Sequence, residues 1–300
     1  MVLRLGQKIK ADVKDKNSMK TSNAKIRGFL ASIFAILMVP AIVNAQNYYY
    51  MTGNDAANTS SFNNAGSWNI NGAPSGAAPA AGNTYATQGW LMRSPASGGS
   101  YLTGTNIFAG GTLIVGGTNT ASQPFSGSAA NNNCLIFKVN GLMLVVTNLI
   151  MDGGAVRDGN GNGNVTYLDG NITVTTNGGA FLAQDTNFVD SAISGPGPIY
   201  IGDNGNGSTQ RVIVITSGKS IYTGNIILDP AAGAGPTRSQ LIFAAGSIMN
   251  FTIVANGVNN NISGTGTVQF NGNWNINLSS ADNTVGDVWT LVTTTNTVMT

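Results

Sequence analysis

From Cys134 onward the sequence is a succession of short apolar runs: LIFKV, LMLVVTNLIM, VTYL, NITVT, PIYIG, RVIVIT, NIILD, QLIFAA, FTIVA, TVQF and NWNINL. Each is closed off by Gly, Asn, Asp or Pro. None reaches helical length with helical spacing, and in most of them apolar and polar residues alternate, the period of a strand with one buried face. Short strands at close intervals argue for a sandwich, a barrel or a solenoid.

Composition points the same way. Of 300 residues 42% are hydrophobic and only 9% charged, with 40 glycines and no histidine. Every acid is Asp and none is Glu, so helix-favouring charged residues are scarce while turn and strand-edge residues abound. Cys134 is the single cysteine, which rules out an intramolecular disulfide. It opens an apolar run and reads as a small buried hydrophobe.

Internal repetition separates the β architectures. ISGPGPIYI at 193–201 matches ISGTGTVQF at 262–270, an offset of 69 residues. That divides into three turns of about 23, the length of one coil in a parallel β-helix. Gly170-Asn171-Ile172, Gly224-Asn225-Ile226 and Gly272-Asn273-Trp274 repeat a second theme at unequal intervals, as loops of varying length would cause. The fold class expected is therefore all-β: a right-handed parallel β-helix (solenoid) over 134–300, truncated at its C-terminus, with an irregular N-terminal capping region over 46–133. In it Ile199 and Ile201 line up with Val268 and Phe270 inside a narrow tube. A β-sandwich or jelly roll is the alternative.

Residues 1–45 read as a signal peptide. Basic residues from Arg4 to Arg27 precede FLASIFAILMVPAIV, and Val43-Asn44-Ala45 offers small residues to a signal peptidase, giving cleavage between Ala45 and Gln46. Met19-Lys20 starts a second, more ordinary leader, so Met19 competes with Met1 as the true start. The leader carries most of the positive charge. From Gln46 on, six basic residues face ten aspartates, a net charge of −4, and without clustered Lys or Arg no nucleic-acid partner is expected.

GSWNINGAPSGAAPAAGNTY, WLMRSP, TNLIMDGGAVRDGNGNGNVTYLDGNITVTTNGGAF and AISGPGPIYIG together resemble the exported bacterial β-helix repeat proteins related to autotransporter passengers. VGDVWTLV at Val285 is similar to a closing segment common in them. The resemblance covers roughly Ser67 to Leu291. It implies an extracellular stalk or surface layer, often adhesive, associated with the outer membrane and without shared catalytic residues. A passenger is followed by a membrane barrel, whereas this sequence stops at TTTNTVMT. The expectation is a fragment or a different attachment, with membrane contact only through the leader or an anchor not in this sequence.

Candidate chemistry is sparse. DGNGNGNVTYLD spaces Asp158, Asn160, Asn162, Asn164 and Asp169 much as a twelve-residue calcium loop does, but without flanking helices or a closing Glu. It reads as an Asn-Gly turn between coils or, alternatively, as a weak calcium site, the one cofactor considered. Without His there is no Ser-His-Asp or Cys-His arrangement. Polysaccharide cleavage could use carboxylates alone, and Asp152, Asp158, Asp169, Asp185, Asp190 and Asp203, with Arg157, Arg211 and Lys219, are the groups available. Their spacing does not demand a shared site, so no enzyme is expected. Trp68 and Trp90 either stack on glycans or plug the end of the solenoid. The function expected is an exported, surface structural or adhesin-like protein with surface glycans as partners; a carbohydrate-binding module and a polysaccharide lyase or hydrolase are the alternatives.

Overall fold

The computed structural model describes residues 2–4, 46–117, 133–159, 163–203, 211–228, 239–282 and 284–299. Among them there is no helix, and hence none long and apolar enough to cross a membrane. The chain is all-β, dominated by one sheet of 20 strands whose pairing is parallel almost throughout.

Inward-facing side chains form three columns, each residue the direct cross-strand neighbour of the next. The first runs Leu144, Leu168, Val189, Ile215, Phe243, Phe270. A second runs Tyr49, Tyr85, Leu113, Leu149, Ile172, Ile193. The third runs Met92, Leu135, Val156, Phe181, Ile201, Leu228. All but Tyr49 are buried, and they belong to one core. Each buried Leu, Ile or Phe contributes about 1.5–3 kcal/mol, which makes these columns the main source of stability.

The chain visits the rows in a fixed order. Val165–Val174 spans the first and second, Gly179–Ala183 lies in the third, and Thr186–Val189, Ala192–Ser194 and Ile199–Asp203 repeat the sequence. Along the first row successive partners, from Met143 through Tyr167, Phe188, Val214, Ile242 and Gln269 to Val298, are 24, 21, 26, 28, 27 and 29 residues apart. This architecture is compatible with a solenoid, whereas a sandwich or jelly roll requires antiparallel neighbours.

The 69-residue repeat turns out to mark corners rather than equivalent coils. Ile193 lies in the second row and Ile199 and Ile201 in the third, while Ile262 lies in the third and Val268 and Phe270 in the first. Ile199 therefore stacks on Ile226 and, beyond it, Ile262, not on Val268, whose neighbour is Leu241. What the two segments share is Gly195 (φ 105°) and Gly264 (φ 106°), where the chain turns from one row to the next. A Cβ at either would run into the carbonyl oxygen of the neighbouring coil, that of Val174 or Leu228.

The parallel ladder also begins earlier than the sequence suggests. Tyr48–Met51, Thr84–Ala86 and Thr112–Gly116 pair in parallel and pass directly into Met143–Asp152, so no break falls at residue 133. At the free edge of Tyr48–Met51, Trp68–Ile70 pairs antiparallel, and Ala73–Pro74 folds back on it. A short proline-containing strand makes a poor template for further pairing. Val2–Arg4 pairs antiparallel with Val288–Thr290.

The third row is unusual in that its outward side is buried too. Leu91, Cys134, Ile136, Ala155, Ala180 and Leu182 form a second apolar cluster there, with Tyr200 packed against it. Burial pushes the Cys134 thiol up to about 11, against the smaller opposing effect of Arg157.

Two outcomes are expected. Gly264→Ala and Gly195→Ala should each cost about 2–3 kcal/mol, since positive φ and a collision with backbone combine. Gly257→Ala, at φ 73° with open space around the added methyl, should cost only about 1 kcal/mol; urea denaturation giving equal costs would contradict the corner assignment. Cys134 should resist a thiol reagent in the native protein and react at once in denaturant.

Candidate functional site

In a strand whose alternate residues face inward, the intervening ones face out. On the outer side of the second row Asn148 and Asn171 are cross-strand neighbours, both exposed, and the hydroxyls of Thr173 and Ser194 lie 3.4 Å apart. The row is carried on by Ile221, whose N–H donates to the Ile193 carbonyl. Then comes the parallel pair Ile248–Thr252 and Asn273–Asn277, which sets Asn250 beside Asn275.

The asparagine amides in this array are engaged. Asn148 Nδ2 donates to the Gly111 carbonyl (2.9 Å), Asn171 Nδ2 to that of Thr147 (3.0 Å) and Asn250 Nδ2 to that of Ser220 (2.9 Å). Asn275 Nδ2 donates to Asn250 Oδ1 (2.9 Å), and Asn260 Nδ2 to the Gly224 carbonyl (3.3 Å). Every one of these bonds reaches back to the preceding coil. The amides tie coils together, and what the row offers a ligand is mostly carbonyl oxygens and hydroxyls.

The proposed calcium set is pulled apart. Asp158 ends the strand Ala155–Asp158 and is fully buried, while Asn164 is buried beside Asp185, to whose Oδ2 it donates its N–H at 3.3 Å. Asp169 sits within the strand Val165–Val174, where its Oδ1 accepts the Gly170 N–H at 2.6 Å. Five extended residues span about 16 Å, and Asn164 and Asp169 face opposite sides of the strand, so they cannot share an ion whose ligands lie about 2.3–2.6 Å from it. Among the described residues of this stretch Asp158 and 165–169 are strand, so Asn164 and Asp169 do not close one loop around an ion. Asn160 and Asn162 lie outside the described residues.

The two tryptophans differ. Trp68 is buried, its Nε1 donating to the Ser61 carbonyl (2.6 Å) and its ring edge-on to Tyr85 at 5.0 Å. Tyr85 also stacks on Tyr49 at 4.7 Å and meets Phe108 edge-on. Trp68 therefore has no face free for a sugar, which corrects the stacking expectation for that residue. Trp90 is half-buried against the same core. Of the cleavage-site pair, Ala45 lies outside the described residues and Gln46 is exposed, its amide donating to Thr84 Oγ1.

The remaining acids serve turns. Asp152 accepts from Thr175 Oγ1 (2.6 Å) and Asn177 Nδ2 (2.8 Å), and Asp190 accepts from Thr216 Oγ1 (2.8 Å). Arg157 and Arg211 are buried and Lys219 is exposed; the side chain of Asp203 lies outside the description. Among the described residues no group of three or more His, Cys, Asp or Glu gathers as a metal cluster would.

The sequence reading passes over Asp55. It is buried and accepts the Ser61 hydroxyl (2.6 Å), the Ser61 N–H (2.8 Å) and the Arg93 N–H (2.9 Å). Burial nevertheless outweighs these donors and raises its pKa. The network pins the 52–67 loop to the first strand of the third row; a lone Asp in a loop gives no sequence signal for such a role.

Trp68→Ala should lower stability by about 3–5 kcal/mol, whereas Trp90→Ala should cost clearly less. Equal losses in urea denaturation would place Trp90 in the core as well.

No family model matches the chain, and neither the curated proteins nor the solved structures include a match to it.

Proposed function

We propose that the chain is an exported right-handed parallel β-helix, related to the autotransporter passengers its motifs resemble, that does non-catalytic structural or adhesive work at the cell surface. The observation that carries this reading is the outward face of the second row, where the ladder sets Asn148 beside Asn171, Thr173 beside Ser194 and Asn250 beside Asn275, with Ile150, Ala192 and Ile221 between them. A row of this kind presents many weak polar contacts at a fixed spacing, and binding to a repetitive surface such as a glycan gains from the high effective concentration once the first contact is made.

Export fits the ladder. Cleavage between Ala45 and Gln46 removes the three-residue strand Val2–Arg4 and its pairing with Val288–Thr290, but no member of the three core columns, which begin at Tyr49. Of the two tryptophans named for glycan stacking, Trp90 is the one left to a carbohydrate-binding module, since Trp68 is in the core. A polysaccharide-cleaving enzyme would need two carboxylates brought together, and of the acids named for it Asp152 and Asp190 are engaged at separate turns while Asp169 lies within a strand.

The test is to isolate the protein from producing cells. It should be recovered from the outer-membrane or extracellular fraction with Gln46-Asn47-Tyr48 as its first residues. A cytosolic protein that still begins at Met1 or Met19 would sink the export reading. Release of product from acidic polysaccharide would sink the non-catalytic one.

A further inference from the structure

The three rows differ on their outer sides. The second sets Asn, Thr and Ser among a few aliphatic residues, and the third is buried. The first is apolar and left partly open. Alternate residues of its strands point outward, and the pairing register makes Met143, Tyr167, Phe188, Val214 and Ile242 direct cross-strand neighbours from one coil to the next. All are half-buried except Val214, which is buried. On one flank Val145 pairs with Ile107, which is 65% exposed. On the other, Val165 and Val212 lie either side of Thr186.

The way the rings stack limits what this face can take. Tyr167 and Phe188 lie 5.2 Å apart with their planes 15° from parallel, so each covers a face of the other, and Met143 and Val214 are the next residues along the column. What is left to a partner is ring edges and methyl groups, not an open ring face of the kind on which a sugar stacks. The charged side chains on the described part of this face are Asp169 and Asp190, both on the Val145 flank, and no Lys or Arg points outward from it. A lipid headgroup layer or an acidic polymer calls for cations there. An apolar strip rimmed by polar groups is a surface that soluble proteins seldom leave bare. The row passes through eight strands. At about 4.8 Å per strand and about 3.3 Å for each of about five residues, its face measures about 38 by 16 Å, and two such faces together cover about 1,200 Å², the lower limit for a stable, specific interface.

We propose that two copies of this chain pack face to face through their first rows, about a two-fold axis parallel to the direction in which the coils stack. A two-fold contact uses the same patch on both sides. About this axis each coil meets the same coil of the other copy, so the central apolar column lies against itself. The flanks exchange places: Asp169 and Asp190 come to lie over the Val165 and Val212 flank of the second copy and not over its acids. An axis along the strands would instead bring the two aspartate flanks together. At this area and without an ion pair the dissociation constant should be on the order of 10⁻⁶–10⁻⁵ M. The contact goes beyond the display reading and does not rest on it, because the second row stays free and neither export nor a glycan is involved.

The experiment is sedimentation velocity of the purified protein across the micromolar range, at low and at high salt. A monomer–dimer equilibrium should appear, and salt should not weaken it, since no opposite charges meet. Phe188→Lys should weaken dimerisation by about tenfold or more, with the β circular dichroism kept. Gln269 continues the central column beside Ile242, so Gln269→Cys should give a disulfide-linked dimer on oxidation, while Thr173→Cys on the second row should not. Cys134 is buried and does not compete. Gln269→Cys leaves the apolar column intact, so it decides the matter even where Phe188→Lys misfolds. The proposal is overturned by a protein that stays monomeric throughout, by a dimer that folded Phe188→Lys does not weaken, or by cross-linking through Thr173→Cys as readily as through Gln269→Cys. It is overturned equally by a monomer that floats with phosphatidylcholine vesicles, or is retained on an insoluble neutral glycan, in a way that Phe188→Lys abolishes, because the face would then belong to lipid or sugar.

Discussion

Parallel, in-register pairing of each strand with the ones before and after it governs everything else here. Neighbouring strands lie about 4.8 Å apart, so a side chain that points inward packs directly on its counterpart one coil away as well as on the other columns across the core. Columns must then be matched in size and shape. Phe243 and Phe270 stack at 5.0 Å with their planes 3° apart, and on the outer side Tyr167 and Phe188 do the same at 5.2 Å. Aromatic residues that are direct cross-strand neighbours stack, while those that meet across the core, such as Phe270 and Trp274, pack edge-on. With a single cysteine no intramolecular disulfide can contribute, so these columns and the backbone ladder must supply the stability.

The ends of such a ladder face a harder problem than its middle. At the first edge the chain answers with antiparallel strands and a cluster of Tyr49, Trp68, Tyr85 and Phe108, which fill the core beside the first parallel strand among the described residues after Gln46. At the last described strand, Val292–Met299, the inward column reaches Met299, which is 50% exposed where Phe270 one coil earlier is 3% exposed.

Much of the fold was legible because alternation is local. The runs that open at Met143, Ile199, Arg211 and Ser239 are strands close to where their apolar pattern places them. What escaped were features fixed by distant partners. Asp169-Gly170 reads as a turn, yet VTYL and NITVT are one strand, because Gly170 stays paired with Val146 and the irregularity is taken up by Thr147 in the neighbouring strand. TYA and TLIVG lie in polar surroundings and give no hint that they pair with each other across 28 residues. For the same reason the evenly spaced oxygens of Asp158, Asn164 and Asp169 look like one site, yet Asn164 and Asp169 face opposite sides of an extended segment. Spacing along a chain predicts proximity only where the local structure is known.

The asparagine links between coils bear on composition. Each such side chain must give a hydrogen to a carbonyl of the coil before it, and a carboxylate has none to give. Aspartate, nearly the same shape, would instead set a negative charge against the negative end of a peptide dipole. This favours an acid-poor sequence at the corners, and it fits a chain that is 9% charged and has no Glu. It also makes the loss of one amide nitrogen by slow hydrolysis more than a surface blemish. Converting Asn148 or Asn171 to aspartate would reverse the polarity of a contact between coils, so the same residues that hold the stack together set its chemical lifetime.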